Sequence, residues 1–198
     1  MAELKVGVLA SGRGSNLEAL ITRARGYRVV AAVSDRAGSL ALERAKNHGC
    51  AAVHIDPAAF SGREAYETAV ADALAGFGAE LVCLAGYMRL VGKVLLERFS
   101  GRVLNIHPAL LPAFPGLHGQ RQALEYGVRF SGCTVHFVDG DMDTGPIILQ
   151  AVVPVLGDDT EETLSDRILA QEHRIYPEAV ALYAQARLTL EGRRVRIG

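Results

Sequence analysis

The chain has 198 residues, 49% of them hydrophobic and 22% charged, with a formal net charge of −1, which describes an ordinary globular protein with a substantial core and the length of one sizeable domain. No basic surplus points to nucleic acid and no Lys/Arg cluster to a membrane surface, although a single pocket can still attract an anion. No basic segment followed by an apolar run opens the chain, and no apolar stretch approaches the ~20 residues that cross a bilayer, so neither a signal peptide nor a membrane span is expected; three well-separated cysteines, Cys50, Cys83 and Cys133, read as free thiols of a reducing cytoplasm.

Lys5 to Ala10 is a short apolar run, the pattern of a buried parallel strand. It leads into Ser11-Gly12-Arg13-Gly14-Ser15-Asn16 and then a helix through Leu17, Leu20 and Ile21. Strand, glycine-bearing turn and helix N-terminus together suit an anion, because glycine lets the backbone approach while free amides and the helix dipole attract negative charge. The third glycine of a dinucleotide fingerprint and the Gly-Lys-Ser/Thr of an ATPase loop are missing, so a single phosphate monoester fits better. Ser15 or Asn16 can equally be a helix cap and nothing more. Val29 to Val33 is a second strand, Ser39 to Asn47 a helix stopped by Gly49, and Ala51 to Ile55 a third strand, with His54 structural. Gly62 to Gly76 is a helix carrying Tyr66, Ala69, Val70, Ala73 and Leu74 along one stripe, and Arg63 near its start reads most simply as a solvated charge. Leu81 to Ala85 is a fourth buried strand, followed by Gly86-Tyr87-Met88-Arg89-Leu90-Val91. Open α/β sheets bind ligands at the carboxyl ends of their strands. Met88 and Leu90 there offer apolar surface to a flat ring and Arg89 can meet an anionic tail; equally, Met88 and Leu90 can complete the core.

A helix from Lys93 to Phe99 precedes a strand over Arg102 to Ile106, which Pro108 ends by removing a ladder donor. Residues two apart share a face of a strand, so Asn105 and His107 point the same way at its end. An amide and an imidazole side by side can both donate to one developing oxyanion, or simply cap the next loop. Gly119 to Tyr126 is a helix ended by Gly127, and Phe130 to Val138 and Ile147 to Pro154 are strands. Between them Asp139 to Gly145 holds three aspartates, usually a solvated turn. His118 and His136 suit supporting donors or ordinary core and surface positions equally well. Asp159 is expected to cap the next helix with Glu162 as its capping-box partner, and Pro177 to kink or break it; Leu188 to Ile197 reads as a terminal hairpin. The alternation of elements implies one α/β domain with a Rossmann-like, mostly parallel sheet and helices on both faces, its return strands near Phe130 and Ile147 of mixed direction.

Asn105-Ile106-His107-Pro108, followed by Leu110-Leu111-Pro112, Phe114-Pro115-Gly116 and Asp143-x-Gly145-Pro146, resembles the folate-dependent formyltransferases, and the match extends along nearly the whole chain to Gln171-Glu172-His173 and Tyr176-Pro177. The resemblance implies a single formyltransferase domain over 1–198, with a phosphate-binding half about 1–100 and a catalytic and folate-binding half about 101–198. It implies catalytic Asn105, His107 and Asp143, a ribonucleotide site at Gly14, Ser15, Asn16 and Glu172, a folate site at Arg63, Met88, Arg89, Leu90, Val91 and Asn105, and a cis bond at Leu111-Pro112. Gly119-Gln120 departs from one common form of the family, which has Thr-His there.

The implied reaction moves a formyl group from 10-formyltetrahydrofolate, as co-substrate, to the amine of glycinamide ribonucleotide in purine synthesis, with no metal, in a monomer or homodimer. A neutral amine attacks the formyl carbon and negative charge grows on its oxygen. Asn105 and a protonated His107 would donate to that oxygen, and an ionised Asp143 would raise the imidazole pKa. The nearest rival is a deformylase that uses water as the acceptor, although such enzymes usually carry an additional N-terminal regulatory domain. A binding module without chemistry is another; the joint presence of Asn105, His107 and Asp143 argues against it. A metal hydrolase on His107, His118 and His136 is a third, and that spacing fits no common ligand pattern. Neither Gly-x-Ser-x-Gly nor His-Glu-x-x-His occurs to compete.

Overall fold

The computed structural model describes residues 3–198. The chain divides into two compact units, one ending at Asn105 and the other running Ile106–Gly198. The first is a regular alternation: β1 (Leu4–Leu9), α1 (Ser15–Thr22), β2 (Tyr27–Ser34), α2 (Leu40–Asn47), β3 (Ala51–His54), α3 (Arg63–Gly76), β4 (Leu81–Leu84), α4 (Lys93–Arg98) and β5 (Val103–His107), which carries the chain onward.

Its strands lie in the order β3-β2-β1-β4-β5, all parallel, with Val6 opposite Val29, Val8 opposite Cys83 and Leu84 opposite Asn105. β1 and β4 are continuous apolar runs because helices cover a parallel sheet and both faces of its strands are buried; Val6, Val8, Leu9, Leu81, Val82 and Cys83 are all fully buried. α1 packs with α2 and α3 with α4, flanking the strands. Each buried leucine among Leu9, Leu17, Leu20 and Leu74 stabilises the unit by about 1.5–3 kcal/mol relative to exposure. From β1 the strand order runs outward through β2 to β3, and from β4 outward to β5. The crevice of such a sheet opens where that order reverses, at the carboxyl ends of β1 and β4. The loops that leave those two ends are Ser11 to Gly14 and Gly86 to Gly92.

The second unit contains α5 (Gly119–Tyr126), β6 (Phe130–Phe137), β7 (Ile147–Pro154), α6 (Glu161–Ala184), β8 (Leu188–Glu191) and β9 (Arg194–Ile197). β6 and β7 are antiparallel, β7 meets β9 in parallel at Ile147 and Arg194, and β8 and β9 form the expected antiparallel hairpin. α6 lies on β6, β7 and α5, and its Leu164, Ile168, Ile175, Tyr176, Ala179 and Val180 are all nearly or fully buried.

Two expectations about α6 are corrected. Its N-cap is Thr160, not Asp159, and the reciprocal partner is Thr163, not Glu162. Asp159 accepts from the Leu156 amide and from both terminal nitrogens of Arg167; the Arg167 guanidinium holds its carboxyl well below the ordinary carboxylate range. Pro177 does not break the helix, whose 24 residues continue on both sides of it. A proline inside a helix costs about 3 kcal/mol, and buried residues on both sides of this one supply the packing that offsets it. Among the described residues no helix is long and apolar enough to cross a membrane.

Candidate active site

β5 and β6 each bring one histidine to a carboxylate in the loop after β6. His107 Nδ1 lies 3.4 Å from Asp143 Oδ2, and His136 Nε2 lies 3.6 Å from Asp143 Oδ1. Both rings are buried. The Gly116 amide donates to Asp143 Oδ2 at 2.8 Å. On the far side of its ring, His107 Nε2 is 2.8 Å from the Phe114 carbonyl, and His136 Nδ1 is 2.8 Å from the Phe137 carbonyl. A carbonyl can only accept, so these contacts put a proton on His107 Nε2 and on His136 Nδ1. Phe114 and Asp143 both have φ of 54°, a left-handed conformation that costs a non-glycine residue on the order of 1–2 kcal/mol. The strain falls on the residues that face His107.

The expected protonated His107 is not what this geometry favours at rest. Burial lowers its pKa from the ordinary 6.5, outweighing the Asp143 carboxylate and the Phe114 carbonyl, which raise it. Burial alone would raise the Asp143 carboxyl, yet the adjacent His136, the hydrogen bond from the Gly116 amide and the nearby His107 hold it below the ordinary carboxylate value. Near neutral pH the pair is therefore a neutral imidazole beside a carboxylate. Proton uptake at Nδ1 would give a ring that donates to acceptors on both sides.

The loop after β5 is held from beneath. Thr134 Oγ1 donates to the Ala109 carbonyl at 2.7 Å and accepts from the Leu111 amide at 3.1 Å. Gln150 Nε2 reaches the Leu111 carbonyl at 2.9 Å and Thr134 Oγ1 at 3.0 Å. Leu111-Pro112 is cis, as the resemblance implied. Thr134 and Gln150 were not singled out by the sequence, and His136, left open between a supporting donor and a core or surface position, is buried and faces Asp143. Strand alternation was the available signal, since Thr134 and His136 are two apart on β6 and Thr134 pairs with Gln150 across the ladder. Glu172 is buried on α6 beside Cys133, whose thiol is pushed up to about 12 by its own burial and by the Glu172 carboxylate. His118 is well exposed, 3.9 Å from Glu161.

In the first unit, α1 begins at Gly14, which has φ of 73°, and no side chain caps the helix, so Ser15 and Asn16 lie in the first turn and neither supplies the cap. A Cβ on Gly14 would stand 2.5 Å from Ala41 Cα, so glycine is required both for conformation and for space. This uncapped end supports an anion site. The Gly86 to Gly92 loop is tied to it: Ser11 N–H donates to the Gly86 carbonyl at 3.1 Å, and Ser11 Oγ accepts from the Met88 amide at 2.9 Å. Met88 and Leu90 are 57% and 62% exposed, open apolar surface rather than core. Arg89 stacks over the Tyr66 ring at 5.2 Å, and Arg63 donates to the Leu90 carbonyl at 2.9 Å. Arg63 and Met88 to Val91 thus belong to the first unit, with the Ser11 to Gly14 loop. Asn105, half-buried at the end of that unit, stands opposite Leu84 on β5. Among the described residues no group of three His, Cys, Asp or Glu side chains is arranged to hold a metal ion.

The sequence profile of the formyl transferase family matches residues 4–180. The crystal structure of glycinamide ribonucleotide transformylase 1 from Symbiobacterium toebii superposes with a TM-score of 0.96 at 57% identity, over 98% of this chain and 94% of that one. Phosphoribosylglycinamide formyltransferase of Escherichia coli (strain K12) is 41% identical over 191 residues, 94% of this chain and 90% of that protein. The trifunctional purine biosynthetic protein adenosine-3 of Drosophila pseudoobscura pseudoobscura is 47% identical over 190 residues; there the chain spans only 14% of the relative's length.

Proposed function

The chain belongs to the formyl transferase family, and on that premise we propose that it transfers the formyl group of 10-formyltetrahydrofolate to the amine of glycinamide ribonucleotide, in the purine synthesis of the cytoplasm. The observation that carries the reading is the buried 3.4 Å approach of His107 to Asp143, in a chain alike over its whole length to a glycinamide ribonucleotide transformylase.

The amine attacks the formyl carbon, a C–N bond forms, and charge grows on the formyl oxygen. Asn105 Nδ2 donates to that oxygen. The amine must lose a proton and the departing folate nitrogen must gain one. The Asp143–His107 pair takes the first and supplies the second, and His107 passes through the imidazolium form. That form is the one its surroundings satisfy, because Nδ1–H then faces Asp143 while Nε2–H stays on the Phe114 carbonyl. The uncapped start of α1 at Gly14, Ser15 and Asn16 takes the ribose phosphate, and Glu172 contacts the glycinamide substrate. Met88 to Val91 lies along the folate with Arg63 near its anionic end.

The test follows tetrahydrofolate release from 10-formyltetrahydrofolate with and without glycinamide ribonucleotide. Release that depends on the ribonucleotide is expected. Equal release in its absence would make the protein a deformylase, and no release in either case a binder. Asn105→Ala should fold normally and lose turnover about 100-fold, the usual effect of removing one oxyanion donor; near-normal turnover would remove its role.

A further inference from the structure

A buried carboxylate that none of these roles uses ties α3 to the loop after β4. Glu67 lies one turn after Arg63, with its side chain 7% exposed against 53% for Arg63. Its Oε1 accepts from Arg63 Nε at 2.8 Å, and Arg63 Nη2 donates in turn to the Leu90 carbonyl at 2.9 Å. Two of the three guanidinium nitrogens are thereby committed. Gly92, at the far end of the same loop, presses on the pair: a Cβ there would lie 2.5 Å from Glu67 Oε1, 2.7 Å from Oε2 and 2.9 Å from Arg63 Nε. Its φ of −106° suits any residue, so close approach alone excludes a side chain.

The loop needs such a tie. A shallow crevice barely wide enough for a water molecule lies beneath it, with Tyr66, Glu67 and Val70 on the helix side and Tyr87, Leu90 and Val91 on the loop side. Met88 is fixed through Ser11, and Leu90 through Arg63. A solvated ion pair between residues four apart steadies a helix only slightly. Taking a carboxylate out of water is costly even when it is paired. Stability alone is a poor reason to bury this one.

We infer that Glu67 is a positioning residue for the folate: it fixes Arg63, and Arg63 fixes the Leu90 carbonyl and with it the Met88 to Val91 segment. The inference rests on the function proposed above. Glu67→Gln keeps the shape and removes the charge. The Kd for 5-formyltetrahydrofolate, a stable reduced folate, should rise about tenfold, the usual scale for losing one charge-assisted hydrogen bond. The KM for 10-formyltetrahydrofolate should rise with it, while kcat and the KM for glycinamide ribonucleotide stay within about twofold of wild type. In an Arg63→Ala background the same substitution should add little, because the path from Glu67 to the loop is already cut. Gly92→Ala crowds the carboxylate while leaving every charge in place, and should show the same folate-only loss; it carries the test if Glu67→Gln does not fold. Wild-type folate affinity in these variants overturns the inference. So does a loss shared equally by both substrates, or one that persists undiminished without Arg63. A wild-type protein that binds no reduced folate removes the proposed function instead, and the same titration reads that result separately.

Discussion

At His107, one ring nitrogen is held by the Phe114 carbonyl and the other faces Asp143 across 3.4 Å. Burial opposes the charged ring, and both neighbours favour it. The sign of each contribution makes a prediction. Because burial is the largest, His107 should titrate below 6.5, so the limb of kcat/KM that requires its neutral form lies on the acid side of that value. Asp143→Asn removes a neighbour that raises the pKa, and the titration should move lower still. Turnover should fall by about 10²–10⁴-fold, the range for a lost acid–base partner, with ribonucleotide binding retained. Ring-proton NMR of His107 in the two proteins measures the first effect; a pKa that rises in the variant would mean Asp143 is not the partner assigned. The approach of Asp143 to His107 was legible, because position in a recurrent loop motif marks both residues. Their charge states were not, since desolvation depends on what covers a side chain. His136 stayed ambiguous for the same reason: only the folded β6 turns it to Asp143.

Elements were legible where one signal dominated. The continuous apolar runs at β1 and β4 and the terminal hairpin fall where the sequence placed them. The start of α6 shows how a local rule misleads when two candidates stand together. Asp159 and Thr160 are both good caps, and the choice was settled by Arg167, which occupies the Asp159 carboxylate from 8 residues along the chain. Pro177 shows tertiary packing overriding propensity. Thr160→Ala should therefore cost about 1 kcal/mol, a fall in Tm of roughly 2–4 °C for a chain of this size, with both KM values unchanged. Thermal unfolding beside steady-state kinetics checks this, and an unchanged Tm would return the capping role to Asp159.

At the scale of the whole molecule, fold class followed from the alternation of elements and the family from the motifs; the resemblance implied two halves meeting near residue 100, but local composition does not mark the division after Asn105. It falls inside β5, in an apolar strand without the Pro, Gly or Ser of a linker, so nothing in local composition distinguishes it from an uninterrupted core. Net charge has a consequence for the phosphate. With a formal charge of −1, the molecule has no broad positive field to concentrate an anionic substrate. In the proposed phosphate site at the start of α1, backbone amides at contact distance would do most of the attracting, and contacts that close are screened little by salt. The KM for glycinamide ribonucleotide should accordingly change by less than about threefold between ~0.05 and ~0.2 M sodium chloride. A site relying on clustered Lys and Arg side chains would weaken far more over the same range. Steady-state kinetics across that series decide the matter: a rise in KM of about tenfold or more would shift the binding from the helix amides to mobile cations, with Arg13, in the loop before α1, the first to substitute.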